Sequence, residues 1–136
     1  SKFPTVNIHP SLLPLFKGFN PVEKTILSKS KFLGVTAHLV DESIDSGSYI
    51  AQGVVPYVFE SKEKCYKISY LQKIYIMLVV INQLIDENLI FNLNKYEISF
   101  VKKPVEGLNF NPKLTNQEMT KRFFEIEELE NIRISA

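Results

Sequence analysis

Between Ser61 and Glu87 apolar residues recur at three- and four-residue intervals, and this row constrains the fold more than any other feature of the chain. Ile68, Leu71, Tyr75 and Leu78 make one series; Ile74, Leu78, Ile81 and Ile85 make a second. That period belongs to an α-helix, expected to begin at Ser61 or Lys62 and end near Glu87. The two series crowd together in the middle, so the helix is expected to be buried on more than one side. The sequence before it reads as strands: "GVTAHLVD" over Val35 to Asp41, and "SYIAQGVVP" over Ser48 to Val55, stopped by Pro56. Near the start, Thr5 to Ile8 reads as a short strand. It continues through His9, because the residue before Pro10 is pushed away from helical angles.

The remaining segments fit around these elements. "PSLLPLFKG" is an ordered loop. Asn20 as cap, Pro21 at the first helical position and Glu23 three residues after the cap mark a short helix from Pro21 to about Ser28. "LIFNLN" and "YEISFV" can pair as a hairpin. "KKPVEGLNFNPK" reads as a loop, and "TNQE" as a capping box opening a helix from about Asn116 to Glu128. Helices alternate with strands, so the fold class is α/β. A chain of 136 residues makes one domain with a real core. "DESIDSG" is a polar loop closed by Gly47.

Composition narrows the partners. Hydrophobic residues make up 45% and the net charge is +1. No strong field draws such a chain to nucleic acid or to a membrane surface. The longest unbroken apolar run, "IYIMLVVI" from Ile74 to Ile81, is far short of the roughly 20 residues that span a bilayer. No signal peptide is visible. The first residue is Ser rather than Met, which reads as a processing boundary. The single cysteine, Cys65, allows no intrachain disulfide, fits a reducing compartment, and sits where a small core residue is expected.

The chemistry gathers in "NIHPSLLP". Asn7 and His9 are two apart on an extended segment, so they share one side, roughly 6–7 Å apart along the strand. Pro10 ends the strand behind them, which puts both at its carboxyl end, where open α/β sheets place ligands. Pro10 and Pro14 stiffen the loop below. An amide and an imidazole aimed at one spot suit carbonyl chemistry: the amide donates to a developing oxyanion, and the imidazole moves a proton near neutral pH. The plainer alternative is a strand-end His bonded to backbone and an Asn in a turn. Asp45 is an acid available to orient the imidazole or hold a water, or else a turn-forming Asp. His38 sits mid-strand on the face of Thr36 and Val40, as a buried, hydrogen-bonded His or as a wall of the site. "DESIDSG" lacks the acidic order and terminal Glu of a calcium loop. There is no Gly-rich phosphate loop, no metal-spaced His/Cys cluster and no G-x-S-x-G elbow. Lys102 and Lys103 read as solvated surface.

The stretch from Asn7 to Pro56 resembles the folate-dependent formyltransferase superfamily. The family motif N-x-H-P-S-L-L-P is matched in full, and "VTAHLVDESIDSGSYIAQ" fits the family's later strand and its Asp two residues before a Gly. The rest of the chain resembles it loosely. The resemblance implies the C-terminal half of a Rossmann-like α/β sheet with flanking helices, the N-terminal half being absent. Residues 1–101 would form the core and 102–136 a loop and helix tail. It implies 10-formyltetrahydrofolate as formyl donor, no metal, and a primary amine as acceptor. The family's catalytic residues fall on Asn7, His9 and Asp45: Asn7 donates to the tetrahedral oxygen, His9 handles protons or that oxygen, and Asp45 fixes His9 or a water. Val40, Asp41, Glu42, Ile44 and Asp45 would touch the pterin, partly through backbone. His38, Ser11 and Gly47 would support them.

The expected setting is cytoplasmic, without nucleic acid or membrane, with the N-terminal half or self-association completing the pocket. The family's deformylases typically carry a second His where Pro10 stands, which argues against water as acceptor. Its tRNA enzymes add a β-barrel after the catalytic domain. The tail "KKPVEGLNFNPKLTNQEMTKRF" resembles the segment after the core in the family's sugar and tRNA enzymes, and "FKGFNP" leans to its ribonucleotide enzymes and deformylases; an amino-sugar nucleotide is expected, narrowly ahead of glycinamide ribonucleotide. A second class of function stays open: a catalytically inactive fragment or binding module.

Overall fold

From Leu33 to Leu39 every residue is buried, which requires a strand covered on both faces. A computed structural model describes residues 3–41 and 47–135 and shows how this is done. The elements are β1 (Val6–His9), α1 (Pro21–Leu27), β2 (Phe32–Leu39), β3 (Tyr49–Pro56), α2 (Lys62–Ile85), β4 (Leu89–Asn92), β5 (Glu97–Phe100), β6 (Phe110–Asn111) and α3 (Gln117–Glu130). β2 lies inside a four-stranded sheet of order β1-β2-β3-β6, antiparallel at every pairing. The sheet with its packed helices bears out the α/β class.

The alternation of β2 separates two surfaces. Leu33, Val35, Ala37 and Leu39 are all apolar and buried; the first three join Leu71, Ile76 and Val79 of α2 in the core. Burying an aliphatic side chain of this size contributes about 1.5–3 kcal/mol. Gly34, Thr36 and His38 are on the opposite face, which the 10–16 loop covers. A Cβ at Gly34 would strike the backbone of Leu12. The strand reading that started at Val35 was therefore three residues late. Gly34 belongs to the strand because loop backbone lies directly on it.

α2 is held by its polar residues as well as its apolar ones. The Ser61 side chain accepts from the Lys64 amide and caps the start. Gln72, wholly buried, donates through Nε2 to Leu33 O at 2.8 Å. Buried Asn82 receives the amides of Thr115 and Asn116 on Oδ1 at 2.9 and 3.0 Å, together with the Thr115 hydroxyl. Because Asn82 takes the backbone of Thr115, α3 is capped by Asn116, whose side chain accepts from Met119 N. Glu118, expected in the capping box, pairs with Arg122 instead. The α1 capping box also fails: Asn20 is left-handed with no side-chain cap bond, and Glu23 accepts from the Tyr66 hydroxyl.

α2 ends at Ile85, two residues before the expected end. Its middle is buried against both the sheet and the segment from β6 to α3, while Tyr66, Tyr70, Met77 and Leu84 leave an outer face exposed. By length and composition α2 could cross a membrane, with a hydropathy of 1.5 in its most apolar window; the run from Ile74 to Ile81 is only its middle. It is a core helix here, its inner face spent on the sheet.

The β4–β5 hairpin forms as expected. The loop reading of "KKPVEGLNFNPK" missed β6, which pairs Gln52 with Asn111 and Gly53 with Phe110. Phe110 stacks on Tyr75 with ring centroids 3.9 Å apart, and Phe123 meets Tyr75 edge-on at 5.1 Å. Burial pushes the Tyr75 hydroxyl up, against the pull of the bond it accepts from the Leu114 amide. Cys65 is core, as expected, and burial pushes its thiol up. Glu127, also buried, takes the amides of Ile134 and Ser135 on its carboxylate and fastens the C-terminal segment.

Replacing Asn82 by Ala would strand two backbone donors at the start of α3. Asn82→Ala is expected to lower stability by about 2–3 kcal/mol, read by urea unfolding. A loss under about 0.5 kcal/mol would mean that α3 docks without this side chain.

Candidate functional site

β1 pairs with β2 so that Asn7 faces His38 and His9 faces Thr36. All four therefore lie on the face opposite α2, and Asn7 and His9 share a side as their spacing requires. Asn7 is exposed and His9 is buried. Asn7 Nδ2 donates to His38 Nε2 at 3.3 Å, which places the His38 proton on Nδ1, near Leu39 O. His38, 3% exposed, is thus a support for the amide as well as a buried histidine. A register shift between Ala37 and His38 leaves Ile50 as the extra residue on β3. Such bulges turn side chains at sheet ends.

His9 Nε2 lies 2.8 Å from Phe16 O. A carbonyl only accepts, so Nε2 carries the proton of this contact. The loop that supplies this carbonyl is pinned at several points. Thr36 Oγ1 donates to Ser11 O at 2.8 Å and accepts from Leu13 N at 3.1 Å. Gln52 Nε2 reaches both Thr36 Oγ1 and Leu13 O at 3.0 Å. Buried Ser11 donates its hydroxyl to Leu15 O, closing the turn. Phe16 itself is left-handed, with φ 54°, a conformation costly for a bulky side chain.

Thr36 and Gln52 did not emerge as functional candidates from the sequence. The available signal was a polar residue on the same side of two otherwise apolar strands, in "VTAHL" and "IAQGV". What each bonds to depends on where the loop lands.

Val40 and Asp41 follow β2 beside the amino end of β1, and Val40 N donates to Thr5 O at 2.8 Å. A Cβ on Gly47 would collide with Leu39 O, so only glycine lets the two segments meet there. Glu42, Ile44 and Asp45 lie outside the described residues. Among the described residues no group of three metal-ligating side chains gathers. A wide groove of about 760 Å³ runs along α3 and includes none of the site residues. Among the described residues the site is a partly covered sheet face, with Asn7 exposed and His9 and His38 buried.

An exposed amide and a tautomer-fixed imidazole on one face of β1 are groups able to donate to an oxyanion and to move a proton. The family follows from comparison. A model described as formyl transferase matches residues 1–80, and the chain belongs to that family. It is 53% identical over 51 residues to a methionyl-tRNA formyltransferase of Roseiflexus sp. (strain RS-1), covering 38% of this chain and 16% of that protein. It is 46% identical over 50 residues to a phosphoribosylglycinamide formyltransferase of Bacillus subtilis (strain 168), covering 37% of this chain and 26% of that protein. The crystal structure of a phosphoribosylglycinamide formyltransferase from Anaplasma phagocytophilum superposes with a TM-score of 0.58 at 26% identity, covering 72% of this chain and 48% of that one. The chain thus spans less than half the length of each of these relatives.

Thr36→Val removes the hydroxyl that the loop uses as both donor and acceptor. It is expected to cost about 1–3 kcal/mol and to shift the His9 ring signals in ¹H–¹⁵N spectra. Thr36→Ser is expected to restore both. Unchanged His9 signals in the valine variant would show that the loop is placed without this clamp.

Proposed function

We propose that the protein transfers a formyl group from 10-formyltetrahydrofolate to a primary amine. The observation that carries this reading is that β1 and β2 set Asn7, His9 and His38 on one face of the sheet with Asn7 bonded to His38, Asn7 and His9 being residues of the family motif. They fit the formyl end of such a donor: the Asn7 amide has a second N–H beyond the one given to His38, and buried His9 has its tautomer set by Phe16 O. The folate supplies an electrophilic formyl carbon, which the amine attacks directly to give a tetrahedral species.

In this reading Asn7 Nδ2 donates to the formyl oxygen as negative charge builds on it. His9 accepts the proton lost by the attacking nitrogen and returns it to the folate nitrogen as the carbon–nitrogen bond breaks. His38 holds the Asn7 amide in place. Asp45 keeps His9 or a water in position, and Val40, Asp41, Glu42, Ile44 and Asp45 contact the pterin. Ser11 and Gly47 shape the backbone around them. Protein alongside β1 completes the pocket, residues 1–101 form the core, and 102–136 form its tail. The setting is cytoplasmic, in keeping with a single buried thiol.

Of the possible amines, glycinamide ribonucleotide has the broader support. "FKGFNP" favours it, and the Anaplasma enzyme aligns over most of this chain. The amino-sugar nucleotide rests on the tail sequence alone, and the quoted relatives lend it nothing.

Turnover with 10-formyltetrahydrofolate and each amine tests the reading. His9→Ala and Asp45→Ala are each expected to cut turnover by at least about 10²-fold with an unchanged circular dichroism spectrum. Near-normal turnover in either variant would remove the role given to that residue.

A further inference from the structure

Three strands set one cross-strand row on the sheet face opposite α2. His9 of β1 stands opposite Thr36 of β2, and Thr36 stands opposite Gln52 of β3. Residues directly opposite each other on neighbouring strands share a face. The loop from Ser11 to Phe16 bonds to all three members of the row. At the far end of the row the Gln52 carboxamide meets two acceptors. Its Nε2 donates to Leu13 O and to Thr36 Oγ1, both at 3.0 Å. The one hydroxyl proton of Thr36 goes to Ser11 O at 2.8 Å, and its oxygen also takes the Leu13 amide at 3.1 Å. A side chain that serves both acceptors from this position needs two N–H bonds on one nitrogen, which a primary amide supplies and a carboxylate of the same shape does not.

From Leu13 the placement runs on to the imidazole. Leu15 N donates to Leu12 O at 3.0 Å, and the Ser11 hydroxyl donates to Leu15 O, so the turn after Leu13 is closed from both sides. Phe16 comes next, and its carbonyl takes His9 Nε2 at 2.8 Å. We propose that Gln52 is a positioning residue for His9: it holds Leu13, and through the turn that follows it holds the carbonyl that orients the ring. Gln52 itself bonds to no atom of His9, so the effect passes through loop backbone. The consequence for turnover rests on the formyl-transfer reading; the consequence for the ring does not. A proton carrier displaced by a fraction of a bond length loses rate rather than substrate affinity.

Two variants of similar size separate this role from packing. Gln52→Met keeps the bulk and removes the donors. Gln52→Glu keeps the shape and aims a carboxylate at two acceptors. Gln52 is half-buried and borders a groove of about 310 Å³ with Tyr49, Lys103 and Asn111, so water reaches a glutamate placed there. The chain has two histidines, so long-range ¹H–¹⁵N spectra hold two ring patterns. His38, bonded to Asn7 and not to the loop, is the control. The His9 ring signals are expected to move in both variants, further in Gln52→Glu, while those of His38 stay in place. Unmoved His9 signals in both variants overturn the proposal. So does an equal movement of both histidines, or unfolding of both variants, since the role would then be structural. In turnover, Gln52→Met is expected to lower kcat about 10-fold or more and to leave KM for the folate within about twofold; a raised KM with unchanged kcat overturns it. If the unaltered chain formylates no amine, the functional reading fails and the ring signals alone decide the role of Gln52.

Discussion

The two-sided burial of β2 is the constraint on which the rest depends. One face of the strand is covered by α2 and the other by the loop that follows His9, and each cover needs its own residue pattern. The α2 side is plain hydrophobic packing among Leu33, Val35, Ala37, Leu71, Ile76 and Val79. The loop side is polar. Irregular backbone lies on a sheet there, and its amides and carbonyls need partners. Thr36 and Gln52 provide them, and Gly34 provides the space. His9 then finds Phe16 O within reach because the loop has already been placed.

The same logic joins the C-terminal segment to the core. Asn82 and Glu127 are buried polar groups whose acceptor atoms are filled by backbone donors of another segment. Removing either leaves donors unpaired in low dielectric, which costs more than the bond itself contributed. Tyr75 works from the same helix: its ring stacks on Phe110 and its hydroxyl accepts from Leu114. A helix read from its apolar period is therefore also the element that organises β6 and α3 through its polar positions.

Much of this was legible in advance, and the misses share one cause. The strands, the hairpin and the three helices were marked by local signals, namely period, proline stops and caps. Two capping boxes were misread because the Glu of each bonds elsewhere: Glu23 to Tyr66 of α2, and Glu118 to Arg122 one turn along the same helix. β6 was missed because two residues carry no period, and Phe110 becomes a strand residue only by pairing opposite Gly53. At the site, Asn7 and His9 were legible from spacing, and His38 was left between two readings. Thr36 and Gln52 were not, since a lone Thr or Gln in a strand has no chemistry until its neighbour arrives.

By itself the sequence determined the elements other than β6, the side shared by Asn7 and His9, and the motif that marks the family. Those depend on backbone geometry and residue identity over a few neighbouring positions. Only the tertiary structure decided that His38 accepts from Asn7 and that Phe16 O sets the His9 tautomer. These contacts join residues from separate segments, or lie across a loop whose course the sheet decides. Their hydrogen bonds form only after the apolar core has fixed the distance between those segments.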